Sequence, residues 1–64
     1  MRNSLAAKRR EHNLRQDEVA RAVGVSRQTI IAIEQGKYDP RLALAFRLAS
    51  FFSCGIEDLF DPDE

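Results

Sequence analysis

The chain has 64 residues, with ten basic and ten acidic side chains, one cysteine, one histidine and no tryptophan. A domain this small buries only about 60% of its unfolded surface. One domain spanning 1–64 is therefore expected, without room for a second, ligand-sensing domain; a catalytic cleft beside the core is hard to build from so little chain, and no small-molecule effector is evident. A single cysteine allows no intramolecular disulfide. Arg2, Lys8, Arg9 and Arg10 are followed by no apolar leader segment, and no run approaches the ~20 residues of a membrane helix. The cytoplasm is the expected location, with no membrane partner.

The net charge of zero hides a division along the chain. Met1–Lys37 holds eight basic and four acidic residues (+4), whereas Tyr38–Glu64 holds two and six (−4). A polyanion responds to the local field rather than to the net charge, so the first half is suited to one. Ordinary solvated faces are the alternative reading of the same charges.

The first helix is predicted over about Ser4–His12, capped by Asn3 or Ser4 and ended by Asn13, which tolerates the left-handed conformation. Its apolar residues are Leu5, Ala6 and Ala7. Lys8 leaves it weakly anchored unless the lysine stem lies along the core and the ammonium reaches water. The second helix is predicted over Gln16–Val23 and the third over Arg27–Gln35. Val19 and Val23 are four apart on one face, and Ile30 and Ile33 three apart on the next. Ala20 is small where two helices approach. Gly24 stands where the chain must reverse with positive φ, Ser26 caps the third helix, and Gly36 ends it. Arg15 precedes the second helix without an acceptor oxygen, which weakens that start by about 1 kcal/mol while adding a cation. The fourth helix is predicted from Pro40 to about Phe52, with Asp39 as cap and Pro40 at the first helical position. It is apolar nearly all round, so it is either central or shared with a partner. A short fifth helix, Ile56–Phe60, precedes an acidic, frayed tail at residues 61–64.

Two short helices joined by a tight turn, the second with a polar face to spare, form a helix-turn-helix. Gln16, Ala20, Gly24, Val25, Ser26, Gln28, Thr29, Ile30, Ile33, Glu34, Gly36 and Lys37 stand in the pattern of Cro/repressor-type regulators. Asp39-Pro40, Leu48-Ala49 and Ile56–Phe60 continue it. From about Leu5 to Phe60 the chain resembles this family of Xre-like transcriptional regulators. The resemblance implies an all-α, compact five-helix repressor-like DNA-binding domain, its motif at about 16–35 and its recognition helix, 27–35, in the major groove of a double-stranded operator. Repression of transcription by a homodimer is implied with it.

Arg27 and Gln28 occupy the first turn of the third helix, where a recognition helix reaches base edges. Arginine can donate twice to guanine and glutamine can pair with adenine. The resemblance adds Ala32 on the groove face and Thr29 at a phosphate, with Ser26 in the same contact set. Gln16 opens the second helix, whose free N–H groups suit an anion, and the resemblance gives it a backbone phosphate. Lys37 and Arg41 follow the third helix and are placed to grip the flanking backbone. Ile31 departs from the family's usual small polar residue; it either meets a thymine methyl or is simply exposed. Arg9 and Glu34 are expected, from the family, to form a structural pair beneath the motif.

Leu44 and Phe51 are seven apart on the fourth helix. With Cys54, Ile56 and Phe60 they are assigned to a dimer interface, Leu42, Ala45, Ala49 and Phe52 being left to the monomer core. The alternative is that the fifth helix covers these residues within one chain. No catalytic group, cofactor or metal site is expected: His12 has no partner for a triad, Cys54 with His12 lacks metal-site spacing, and no glycine-rich phosphate loop occurs. A rival reading is a protein-binding module, such as an antitoxin-like subunit, that uses the apolar surface of the fourth and fifth helices.

Overall fold

In the computed structural model, which describes residues 2–61, the chain runs β1 (Arg2–Asn3), α1 (Leu5–Glu11), α2 (Gln16–Val23), α3 (Arg27–Glu34), α4 (Leu42–Phe51), α5 (Ile56–Leu59) and β2 (Phe60–Asp61). The fold is mostly helical and measures 28 × 22 × 20 Å. Its core brings together Leu5 from α1, Val19 from α2, Ile30 and Ile33 from α3, Leu48 from α4 and Leu59 from α5, each with at most 1% exposure. Among the described residues no polar or charged side chain is fully buried. Burial of apolar surface therefore holds the helices together.

The helix ends share one device. Asn13, Gly24, Gly36 and Ser53 all have positive φ (57°, 78°, 74° and 55°) and follow α1, α2, α3 and α4. After α3, Gly36 N–H bonds Ile33 O and Lys37 N–H bonds Ala32 O, both at 2.9 Å. These two bonds close the orphan carbonyls in a Schellman arrangement. Gln35 is thus the cap, and Gly36 is the residue just beyond it. At Gly24 an added Cβ would meet nothing within 4 Å, so it is the backbone angle rather than space that requires glycine.

α1 buries only Leu5, and polar ties supply the anchorage its apolar face lacks. Asn3 Nδ2 donates to Ile33 O at 2.7 Å, Ser4 N–H to Leu59 O at 2.8 Å, and Ser4 Oγ–H to Asp58 O at 2.9 Å. Asn3 Oδ1 accepts from Leu5 N–H at 3.2 Å, so Asn3 rather than Ser4 supplies the capping oxygen. The first and last described segments also pair as antiparallel strands, Arg2 opposite Asp61 and Asn3 opposite Phe60.

The expected compact five-helix fold is found, with a two-residue strand pair in addition. Several finer expectations are corrected. Asp61, assigned to a frayed tail, is paired in β2, and the rest of that tail, 62–64, lies outside the described residues. Phe60 leaves α5 for β2. α4 begins two residues later than expected: Arg41 is extended (φ −63°, ψ 157°), and its carbonyl takes the first helical bond, from Ala45 N–H. Asp39 is therefore not the cap of α4, and Pro40 is not its first helical residue. Leu44 and Phe60, given to a dimer interface, are core residues with 6% exposure each, whereas Leu42, given to the core, is 67% exposed. The four-residue stripes Leu44–Leu48–Phe52 and Ala45–Ala49 set the buried arc of α4. Leu42 and Phe46 fall beyond its edge.

Candidate nucleic-acid interface

α2 and α3 form the helix-turn-helix. α2 opens at Arg15, whose guanidinium has no acceptor to offer the first turn. The Glu18 carboxylate compensates in part by accepting Arg15 N–H at 2.7 Å, which is half of a capping box. α3 opens at Ser26, whose Oγ accepts Thr29 N–H at 3.2 Å and lies 3.0 Å from the Thr29 hydroxyl. Arg47, a cation within apolar α4, donates through Nε to Val23 O at 3.1 Å and fastens α4 to the end of α2. Sequence reasoning missed this tie, although a charged residue inside an apolar helix is a signal for it.

The helical period sorts α3. Ile30 and Ile33 have no exposure; Arg27 and Gln28 are exposed; Ile31 and Ala32 are half-buried. Gln35 is exposed on the face shared by Gln28 and Ala32, since positions three, four and seven apart align. It was not among the expected contacts, and its spacing from Gln28 is the signal that identifies it. Ser26 is exposed, while the Thr29 hydroxyl turns toward it. Lys37 and Arg41 are exposed after α3, with Tyr38 between them 41% exposed.

Beneath the motif, Arg9 grips Glu34 in a forked pair, Nε to Oε2 at 2.7 Å and Nη2 to Oε1 at 3.2 Å. Arg9 Nη1 also donates to Leu14 O at 3.0 Å, and Gln16 Nε2 to Glu34 Oε1 at 3.1 Å. Burial works to raise the Glu34 pKa, but the bonds from Arg9 and Gln16 and the charges of Arg9 and Arg10 outweigh it and hold the carboxyl below its ordinary value. The bond to Glu34 likewise raises the pKa of Arg9. The Gln16 amide, expected at a phosphate, thus commits one N–H inward and retains a second.

A polar cleft of about 640 Å³, lined by Arg9, Arg15, Gln16, Asp17 and Arg27, opens where the start of α2 meets the start of α3. Three guanidinium groups against the one carboxylate that lines it, Asp17, leave the cleft net positive at the N-terminus of α2, where a phosphate fits. Among the described residues no group of three or more metal-ligating side chains gathers. No described helix is long and apolar enough to cross a membrane.

A buried hinge of two helices, a solvent-facing polar side on the second and an anion-fitting cleft beside it define a helix-turn-helix DNA-binding domain. Comparison with known proteins agrees. The Cro/C1-type helix-turn-helix family model matches residues 5–59, and the chain belongs to this family. It is 60% identical over 60 residues to an HTH-type transcriptional regulator of Methanocaldococcus jannaschii, covering 94% of this chain and 91% of that one. It is 38% identical over 54 residues to the cryptic phage CTXphi transcriptional repressor of Vibrio cholerae, covering 84% of this chain and 49% of that protein. A transcriptional regulator from Listeria innocua shares the fold, with a TM-score of 0.77 at 23% identity; the match covers all of this chain and 64% of that one. The protein is a DNA-binding transcriptional regulator.

Proposed function

We propose that the protein acts in the cytoplasm as a homodimeric repressor that reads a two-fold operator with α3 in the major groove. The observation that carries this is the division of α3 between fully buried Ile30 and Ile33 and an outer side presenting Arg27, Gln28, Ile31, Ala32 and Gln35. In this reading Arg27 and Gln28 contact base edges, and Ile31 and Ala32 pack on them. Gln16, Ser26, Thr29, Lys37 and Arg41 hold the backbone on either side.

Dimerisation is supported by apolar surface that the monomer leaves uncovered. Leu42 and Phe46 are 67% and 57% exposed, and an apolar cleft of about 400 Å³ runs between Phe46, Ala49, Cys54 and Ile56. Cys54 and Ile56 thus keep their proposed interface role, joined by Phe46 and Leu42 in place of Leu44 and Phe60. Phe51 is 40% exposed but lies apart from the cleft, its ring edge-on to Phe52 at 4.9 Å. A dimer through this surface would present two recognition helices to half-sites about 34 Å apart.

Selection of bound sequences from a random duplex pool, followed by sedimentation of the complex, tests the reading. A palindromic site holding two chains is expected. A single half-site holding one chain would refute the dimer, and recovery of no consensus would refute sequence-specific reading.

A further inference from the structure

The polar cleft at the start of α2 holds one carboxylate among its cations. The Arg9 guanidinium is neutralised by Glu34, and Arg27 forms no ion pair among the described residues. Arg15 donates through Nε to Asp17 Oδ1 at 3.2 Å, and the other Asp17 oxygen lies 3.9 Å from Arg21 Nη2. Asp17 thus bridges two cations whose side chains are 72% and 75% exposed, and it lines the cleft together with Arg15.

We propose that Asp17 is a built-in counter-ion that competes with DNA phosphate for Arg15 and so restrains the protein's affinity for duplex of any sequence. This rests on the DNA-binding reading above. A phosphate entering the cleft finds Arg15 already held, so one ion pair replaces another instead of a new one forming. Asp17, once released, takes up a cation from solution, which offsets one of the counterions that the DNA gives up. Exposed pairs of this kind correspond to a factor of about 1.4 to 5 in an equilibrium constant. Two of three cleft cations are then pre-paired in the free protein, Arg9 by a nearly buried carboxylate and Arg15 by an exchangeable one. Arg27, which faces the bases in this reading, is left without such a partner.

Fluorescence anisotropy with a labelled mixed-sequence duplex across a salt series tests the assignment. Asp17→Asn is expected to bind about 1.4- to 5-fold tighter than the parent at low salt. Its slope of log K against log salt should steepen by up to about one. The gain should vanish in an Arg15→Gln background, and Glu11→Gln, which removes an acid outside the cleft, should give little of it. An acid at a helix N-terminus also favours the helix itself, so circular dichroism must show the variant folded at the assay temperature. Should it unfold, Asp17→Ser removes the charge with a different polar side chain. Unchanged affinity and slope in a folded variant, or an equal gain without Arg15, would overturn the proposal and leave DNA binding intact. A parent that binds no duplex even at low salt would overturn both.

Discussion

Replacing Arg9 by Met keeps most of its apolar stem and removes the fork that holds Glu34. Exposed ion pairs contribute about 0.2–1 kcal/mol, whereas breaking a buried pair costs about 3–5 kcal/mol. The Arg9 and Glu34 side chains are 12% and 8% exposed, close to the buried case, and Glu34 keeps a bond from Gln16. We therefore expect Arg9→Met to lose about 2–3 kcal/mol, or roughly 10–20 °C in Tm at the ~4–8 °C per kcal/mol of small domains. A 64-residue domain holds roughly 3–10 kcal/mol in all, so the melts are best followed in the cold with urea. Glu34→Gln and the double variant complete a cycle, with an expected coupling of about 1.5–2.5 kcal/mol. Acid supplies a second readout. The Glu34 pKa is depressed below its ordinary 4.5, so its contribution is present above that value and is lost as pH falls toward the depressed one. The parent should lose stability below about pH 4.5 more steeply than Glu34→Gln does. Additivity within about 0.5 kcal/mol together with equal acid slopes would mean that the fork does not hold α1 to α3.

Arg27→Ala and Gln28→Ala should each weaken operator binding by about 1–3 kcal/mol and relax one base position per half-site, as read by selection with each variant. Ser53→Gly should raise stability by about 0.5–1 kcal/mol in urea unfolding, because Ser53 sits at φ 55°, where a Cβ is unfavourable; no gain would show that other contacts already offset the strain. Arg15→Ser should complete the capping box opposite Glu18 and add about 0.5–1 kcal/mol of stability in urea unfolding while weakening binding to duplex; unchanged stability would contradict the capping geometry. If the proposed dimer forms through this cleft, Phe46→Glu should dissociate it in sedimentation while Phe51→Glu leaves it intact; the reverse outcome would move the interface to the other edge of α4.

The helix-turn-helix was legible because each of its features is local. Val19 with Val23 and Ile30 with Ile33 declare the buried faces by spacing alone. Gly24 and Gly36 mark the reversals that most other residues resist, and Ser26 announces α3 through an oxygen its own backbone needs. Arg15 is intermediate. Its poor cap is readable from residue type, but the relief supplied by Glu18 appears only once the helix places that carboxylate over the Arg15 N–H. Ser53 was not legible as a helix terminator, since serine carries no intrinsic demand for positive φ. The bonds after α4, Ser53 N–H to Ser50 O and Cys54 N–H to Ala49 O, impose it.

The less legible features depend on residues far apart in the chain. Arg2 meets Asp61, Asn3 reaches Ile33 and Ser4 reaches Asp58, so the anchoring of α1 is polar and long-range where its sequence showed only a deficit of apolar residues. The same distance dependence explains the error on α4. A helix apolar nearly all round has no periodicity from which to choose its buried arc. The choice falls to whatever packs against it, here α2 and α5. With Phe60 from β2 and Leu44 both in the core cluster, the spare apolar surface of α4 falls mainly at Leu42 and Phe46, with Phe51 40% exposed at the other edge. A face seven residues apart in sequence was therefore a sound deduction about Leu44 and Phe51 sharing a side. It carried no information about which side the rest of the molecule would occupy.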